Sequence, residues 1–141
     1  MAESCLNLAD LGPEPALLHG DFNPWNVVSG EHGVRIFDWT DAAFAHPFLD
    51  LTTYIMQCRD RRVRRAMLRR YLDSWVGHLP SSARTDIGRL ALVVGALHQA
   101  HSHHRLIPTV LPDDLSQLRG GDVQWLRRAM RFSKVGLLSD Y

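Results

Sequence analysis

The feature that most constrains the fold of this chain is a set of three polar residues among short apolar runs. Asp21 and Asn26 lie within the segment Leu18–Val28, and Asp38 follows twelve residues after Asn26, at the end of the apolar run Val34–Phe37. Asp and Asn favour loops and turns, whereas the flanking runs favour strands. The spacing therefore predicts a compact strand–loop–strand–turn–strand unit that displays two carboxylates and an amide.

The boundaries of this β unit follow from its breaking residues. Pro24 interrupts the first polar segment, and the sequence from Ser29 to Gly33 is typical of a turn. Strands are predicted over 16–18, 26–28 and 34–37, with a loop over 19–25 and a turn over 29–33. If the last two strands pair across the turn, Asn26 and Asp38 approach one another.

Beyond Pro47 the spacing of apolar residues becomes helical. Helices are predicted from Phe48 onward, over 61–78, over 83–101 and around 123–130. Their expected apolar faces are Leu51, Tyr54 and Ile55; Val63, Met67, Tyr71 and Trp75; Ile87, Leu90, Ala91, Val94 and Leu97; and Val123, Leu126 and Met130.

The predicted fold is mainly α with a small β unit, an α+β class. An irregular lead-in is expected over 1–15 and a single domain over 16–141, divided into the β unit of 16–39 and a helical subdomain of 47–133. A chain of 141 residues with 45% apolar content is long enough for one globular core.

Charge is unevenly distributed, although the whole chain carries only +1. Residues 1–50 contain one basic and eight acidic residues, a net charge of −7, and residues 51–141 carry a net +8. The acidic half holds the polar motif. This suits a divalent metal, because magnesium prefers carboxylate and amide oxygens.

Neither a membrane span nor a leader is expected. The longest apolar run, 90–97, is far too short to cross a bilayer. The N-terminus lacks a basic segment followed by an apolar one. A cytoplasmic location is the expectation.

The polar motif suits phosphoryl transfer, a reaction that depends on positioning and charge compensation. A carboxylate beside an attacking hydroxyl orients it and accepts its proton, a role that suits Asp21. Amide and carboxylate oxygens hold magnesium against phosphates, a role that suits Asn26 and Asp38. Gly20 gives the backbone room just before the base.

These segments resemble the aminoglycoside phosphotransferase and choline-kinase-like family, relatives of the protein kinases. The resemblance is carried by His19-Gly20-Asp21, Asn26, Asp38-Trp39 and the segment from Ala45 to Leu51. It covers residues 16–110 and is strongest up to Asp50. It implies the C-terminal lobe of the protein-kinase-like fold. It also implies magnesium-dependent transfer of the γ-phosphoryl group of ATP to a small-molecule hydroxyl, as in an aminoglycoside, choline or another alcohol.

The resemblance assigns roles residue by residue. Asp21 matches the catalytic Asp, and Asn26 and Asp38 match the metal ligands. His19 is expected to hold the loop, with Gly20 beside it, and Asp50 to brace the loop through hydrogen bonds. The acceptor substrate is expected to meet four further residues, Asp41, His98, Gln99 and His101.

The N-terminal lobe that the resemblance implies has no counterpart in this sequence. Only eighteen residues precede His19, and Lys134 is the only lysine. The sheet-rich N-terminal lobe, with its phosphate-covering loop and lysine, is therefore expected to be missing from this chain. A truncated gene product, an expressed fragment and a subunit completed by another chain all stay open.

Two consequences follow from the missing lobe. Exposed apolar surface is expected, and with it a homodimer or association with the missing lobe. The alternative to an enzyme is a truncated, catalytically inactive lobe that acts as a binding or regulatory module.

Other clusters have competing interpretations. Seven arginines over 59–70 favour a solvated helix face over nucleic-acid binding, because no nucleic-acid motif accompanies them. The cluster of His98, His101, His103 and His104 lacks a zinc signature, and His98 is expected as a hydrogen-bonded core histidine. Packing roles are expected for Trp25, Trp39 and Trp75, and an amphipathic C-terminal helix for Trp125.

Overall fold

The computed structural model describes residues 8, 10, 13–75, 77, 79, 81–109 and 120–134. Within these residues, four short strands precede four helices. The strands are β1 (Ala16–Leu18), β2 (Val27–Gly30), β3 (Gly33–Ile36) and β4 (Ala43–Ala45), and the helices are α1 (Leu49–Gln57), α2 (Arg61–Ser74), α3 (Ser81–Leu106) and α4 (Gly121–Lys134). Single 3-10 turns lie at Pro24–Asn26 and Ile107–Thr109.

The hairpin that was predicted across residues 29–33 is present. Strands β2 and β3 pair antiparallel, with Val27 opposite Ile36 and Gly30 opposite Gly33. Gly33 has φ of 97°, which a residue without a Cβ adopts readily. Asn26 precedes the ladder rather than beginning the strand, because it closes the 3-10 turn.

A second antiparallel pair joins β1 to β4, with Ala16 opposite Ala45 and Leu18 opposite Ala43. The sequence predicted β1 but not β4, since three residues of Ala-Phe-Ala show too little alternation to indicate a strand. This pairing closes a loop of the chain around Asp21 and Asp38. It brings the start of the loop beside the segment that leads into α1.

Helix α1 packs closely against α3. Thr52 is buried on α1, and a Cβ built on Gly95 of α3 would lie only 2.9 Å from the Thr52 Cβ. The Thr52 hydroxyl donates to the Ala91 carbonyl at 3.5 Å. The absence of a side chain at Gly95 therefore lets the two helices approach where α1 supports the loop.

Helix α2 ends at Ser74, earlier than the predicted 78, and most of its expected apolar face packs inward. Its N-terminus is capped by Asp60, whose carboxylate accepts from the Arg62 amide at 2.7 Å. Leu68 and Leu72 are buried, whereas Val63 is 46% exposed. Tyr71 and Trp75 of the expected face pack against the core beside these leucines, so the expectation was wrong at Val63.

Helix α4 shows the same kind of correction. Val123, Leu126 and Met130, its expected apolar face, are all exposed. The buried residues are Trp125, Ala129 and Phe132, which pack against α3. Two aromatic rings remove more apolar area from water than the aliphatic alternatives, and this decides which face turns inward.

The tryptophans expected to pack divide into two groups. Trp25 is 77% exposed, so packing was the wrong expectation there, whereas Trp39 is 44% exposed and its ring contacts that of His19. Trp75 packs against the core, with its ring 5.4 Å from that of Phe48. Residues on a two-stranded ribbon have core on one side at most, so their aromatic side chains stay in contact with water.

The core lies among the four helices, with Phe48, Ile87 and Phe132 fully buried at its centre. The mainly α class with a small β unit is confirmed. That the fold is the C-terminal lobe of a kinase-like protein stays a prediction. Most of the lead-in over 1–15 lies outside the described residues, although Leu8 and Asp10 are helical and Leu8 is buried, unlike the irregular structure expected there. In the part of the chain described, no helix combines the length and apolar character needed to cross a membrane.

Candidate active site

The loop that carries Asp21 is anchored by a carboxylate on α1. Asp50 lies in the first turn of that helix, and its two oxygens accept from the backbone amides of His19, at 2.7 Å, and Gly20, at 2.9 Å. Charge-assisted bonds of this kind are about twice as strong as neutral ones. Asp50 therefore fixes the backbone immediately before Asp21.

His19 adds a second anchor from its ring. The side chain is 2% exposed, and its Nε2 hydrogen-bonds the Phe37 carbonyl at 2.8 Å. Because a carbonyl can only accept, Nε2 carries the hydrogen. The ring also lies against Trp39, with centroids 4.8 Å apart. His19 thus ties the loop to the chain on either side of Asp38.

Gly20 is required by a close approach and by its backbone conformation. Its φ is 85°, and a Cβ built there would lie 2.7 Å from the Asp41 carbonyl carbon. The Gln99 amide nitrogen on α3 donates to the Gly20 carbonyl at 3.5 Å, across 79 residues of sequence. Asp41 and Gln99, two of the residues expected to meet the acceptor, therefore border the loop.

The Asp21 side chain is held by two asparagines. The Asn23 amide donates to Asp21 Oδ2 at 2.9 Å, and the Asn26 amide donates to the Asp21 carbonyl at 3.0 Å and to Oδ2 at 3.4 Å. The two bonds to the carboxylate, one from each asparagine, both fall on Oδ2. The half-buried Asp21 keeps Oδ1 as its second acceptor.

Asn23 is a site residue that the sequence analysis missed. Its Oδ1 accepts from the Trp25 amide at 2.9 Å and caps the 3-10 turn, while its amide reaches Asp21. An Asn directly before Pro24 and two residues after a candidate base is a turn signal. That signal indicated the cap, but nothing in the spacing indicated that the same side chain would orient Asp21.

Asn26 and Asp38 lie at neighbouring ends of the β2–β3 hairpin. The Phe37 amide donates to the Asn26 carbonyl at 3.1 Å, which places Asp38 one residue beyond that contact. Asn26 is buried, and its side-chain NH₂ group donates to Asp21. Its Oδ1 is therefore the atom that could bind a cation.

Asp38 has an unusual backbone. Its φ is 62°, the only positive value among non-glycine residues in the described part of the chain. Its Oδ1 accepts from the Thr40 hydroxyl at 2.8 Å, and the side chain is exposed. Left-handed conformations at non-glycine residues concentrate at functional sites because they store strain.

A divalent cation fits this donor set in type. Asn26 and Asp38 contribute hard oxygen atoms, and magnesium takes one or two such protein ligands together with phosphate and water. Among the described residues, no group of three or more His, Cys, Asp or Glu is arranged to hold a metal ion. The metal site of Asn26 and Asp38 stays a prediction.

His98 and His101 lie on the exposed side of α3. Both are exposed, so the expectation of a core histidine at 98 was wrong: the inward face of α3 is occupied by Leu92, Ala96 and Ala100. The two histidines line a cavity of about 510 Å³ between α3 and α4, together with Leu49, Val94, Leu97, Ala100, His104, Asp122 and Leu126. Sequence periodicity predicted that both histidines lie on this helix, but it did not predict the cavity.

Comparison with known proteins places the chain in a family. The model of the phosphotransferase enzyme family matches residues 2–85, which include the β unit, α1 and α2. The chain therefore belongs to the phosphotransferase enzyme family. No curated protein and no solved structure matches it.

Proposed function

We propose that this chain carries the catalytic loop and metal ligands of a phosphotransferase that moves the γ-phosphoryl group of ATP to a hydroxyl group of a small molecule. The observation that carries the proposal is the position of Asp21. Its loop is fixed by Asp50, and its carboxylate is oriented by Asn23 and Asn26. The Asn26 carbonyl accepts from the amide of Phe37, the residue before Asp38. Family membership supports phosphoryl transfer as the reaction class.

In the proposed reaction Asp21 is the base. The acceptor oxygen forms a bond to the γ-phosphorus while the bond to the β-phosphate oxygen breaks, and the hydroxyl proton passes to Asp21. Because Oδ2 is engaged by two amide groups, Oδ1 is the atom that receives this proton. Such a positioned base contributes about 10²–10⁴ in rate.

Asn26 and Asp38 would hold magnesium in this proposal. The ion would supply charge compensation for the phosphate oxygens when bound. The hydrogen bonds to Asp21 and Thr40 orient the two ligands before any cation arrives, which reduces the ordering that binding requires. The left-handed Asp38 then directs a carboxylate out of the hairpin end.

The acceptor is proposed only as a hydroxyl-bearing small molecule. Asp41 and Gln99, two of the four residues expected to meet it, border the loop at Gly20. The net +8 of residues 51–141 weighs against a polycationic acceptor such as an aminoglycoside, because like charges repel. Asp41 provides a local negative charge beside the loop, which opposes the positive net charge of residues 51–141.

The test is magnesium-dependent ATP binding and hydrolysis by the purified chain, with Asp38→Ala and the control Glu31→Ala. Glu31 lies in the exposed hairpin turn and makes no part of the site. Binding that Asp38→Ala abolishes and Glu31→Ala retains supports the proposal. Equal binding by all three proteins would place the nucleotide elsewhere.

A binding or regulatory module without activity is the second candidate. It is favoured by the exposed aromatic rings of Trp25 and Phe44, each 77% exposed, and by the single lysine of the chain. Large exposed apolar side chains are typical of surfaces that meet another protein. A folded chain that binds no nucleotide with magnesium, yet self-associates in light scattering, would favour this candidate over an enzyme.

A further inference from the structure

A large cavity lies behind the loop, and its described lining does not include Asp21, Asn26 or Asp38. Its volume is about 630 Å³, in the range of small-molecule sites. The loop, the strands, α1 and α2 all contribute to its described lining, which comprises Leu17, Leu18, His19, Phe22, Ile36, Trp39, Pro47, Asp50, Leu51, Tyr54, Met67, Arg70, Tyr71 and Ser74.

The walls are predominantly aromatic and aliphatic. Phe22 and Tyr54 stack with their ring centroids 5.0 Å apart and their planes within 16°. Trp39 and Ile36 remain 44% and 39% exposed, so the apolar surface is open to solvent rather than filled by side chains. Flat apolar walls of this kind favour a flat aromatic ligand.

Most polar groups of the lining already have partners. Asp50 accepts from two backbone amides of the loop. The Tyr71 hydroxyl donates to the Pro47 carbonyl at 2.9 Å, and the Ser74 hydroxyl donates to the Tyr71 carbonyl at 2.7 Å. These groups therefore contribute less to recognition than a side chain without a partner.

Two polar groups of the lining keep unused hydrogen-bonding capacity. The Tyr54 hydroxyl, which can donate or accept, forms no hydrogen bond with any other described residue. Nδ1 of His19 also lacks a partner, but it is buried from solvent, so a ligand in the cavity does not reach it. Arg70 is exposed and forms no ion pair or hydrogen bond with any other described residue. It offers a planar cation to an acid group.

We propose that this cavity binds a flat aromatic molecule that carries a hydroxyl group for Tyr54 and an acid group for Arg70. The site is separate from the proposed phosphoryl-transfer residues, and it does not depend on the chain being an active enzyme. Because His19 and Asp50 belong both to the cavity wall and to the anchor of the loop, a bound ligand also steadies the backbone before Asp21.

The first test is direct binding of 6-hydroxy-2-naphthoate to the full chain, measured by calorimetry or ligand-observed NMR. Two analogues separate the contributions: 2-naphthoate lacks the hydroxyl, and 2-naphthol lacks the acid. We expect saturable binding of the hydroxy acid, and we expect each analogue to bind with an affinity about tenfold lower. No saturable binding of the hydroxy acid, or 2-naphthol binding as tightly, would overturn the proposal.

The second test uses a matched pair of arginines on α2. Arg70→Gln removes the cation from the cavity, while Arg69→Gln alters the adjacent exposed arginine, which is not among the lining residues. We expect Arg70→Gln to weaken the affinity for the hydroxy acid by about tenfold, and Arg69→Gln to change that affinity by no more than about twofold. Equal losses in both variants would show general charge attraction and refute the site.

The third measurement locates the ligand. Hydrogen exchange of the His19 and Gly20 amides should slow on addition of the hydroxy acid, because these amides donate to Asp50 at the cavity wall. The filling variant Met67→Trp should abolish both binding and this protection. Protection that survives in Met67→Trp would place the ligand elsewhere and reject the cavity.

Discussion

Asp50 accepts a 2.7 Å hydrogen bond from the backbone amide of His19, which lies 31 residues earlier in the chain. The contact joins the first turn of α1 to the loop that presents Asp21. It fixes the backbone of a surface loop to the helical part of the molecule. Several properties of the molecule depend on this bond and on the loop's other contacts.

Asp50→Asn should destabilise the protein by about 1–3 kcal/mol, because one of its two oxygens becomes an NH₂ group that faces a backbone donor. Urea denaturation measures the change in the free energy of unfolding. The control Asp86→Asn alters an exposed carboxylate that is 3.9 Å from Arg89 and should change stability by no more than about 0.5 kcal/mol. Equal effects of the two substitutions would remove the special role of Asp50.

Gly20→Ala should destabilise far more than Gly33→Ala. Both glycines have positive φ, so both substitutions pay about 1–2 kcal/mol for a left-handed residue. Only at Gly20 does the added Cβ also meet backbone, 2.7 Å from the Asp41 carbonyl carbon, whereas Gly33 has open space. Urea denaturation of the pair separates steric overlap from φ strain. Similar losses would show that the loop moves away from Asp41 at little cost.

Asp38→Ala and Asp38→Gly form a second informative pair. Both lose the carboxylate and its bond to Thr40, but only Ala retains the strain of φ at 62°. The Gly variant should therefore be more stable than the Ala variant by about 1–2 kcal/mol, as measured by chemical denaturation. Under the proposed function, neither variant should show magnesium-dependent ATP binding. Equal stabilities would contradict the left-handed conformation of Asp38.

The free energy of unfolding should fall as the pH drops from about 6.5 to about 4, in part through His46. Burial lowers the pKa of His46 from 6.5 to about 4. The unfolded chain therefore binds a proton in this window while the folded chain does not, so acid favours unfolding. His46→Asn keeps an acceptor for the Phe48 amide, which lies 3.2 Å from Nδ1.

The measurement for His46 is the slope of stability against pH, since the substitution itself changes absolute stability. His46→Asn should flatten the curve between about pH 6.5 and 4 relative to the unmodified chain. Parallel curves for the two proteins would mean that the pKa of His46 is not lowered by burial.

Asn23→Asp tests the residue that the sequence analysis missed. The substitution keeps an acceptor for the Trp25 amide but replaces the donor to Asp21 with a second carboxylate. The second carboxylate repels that of Asp21 and removes the hydrogen bond that orients it, so the turnover of the phosphoryl-transfer reaction should fall by about tenfold or more. This prediction rests on the proposed function. An unchanged turnover in the variant would show that Asn23 does not orient the base.

The local sequence was enough to predict the hairpin, the loop and the existence of the helices. Short apolar runs separated by Asp, Asn, Gly and Pro indicate strands and turns wherever the chain folds, and the β2–β3 pairing is close in sequence. The motif of Asp21, Asn26 and Asp38 likewise belongs to neighbouring segments. The family match over residues 2–85 covers this same region.

Tertiary structure alone decided the contacts between distant segments and the choice between competing helix faces. Local periodicity cannot indicate that Gln99 meets Gly20, because that contact spans 79 residues and depends on how α3 crosses α1. Nor can it choose between the Trp125 and Leu126 faces of α4, since both are apolar and only the packed interior can bury one. The loop chemistry was thus determined by sequence, while the position of His98, the role of Asn23 and the cavity behind His19 were determined by packing.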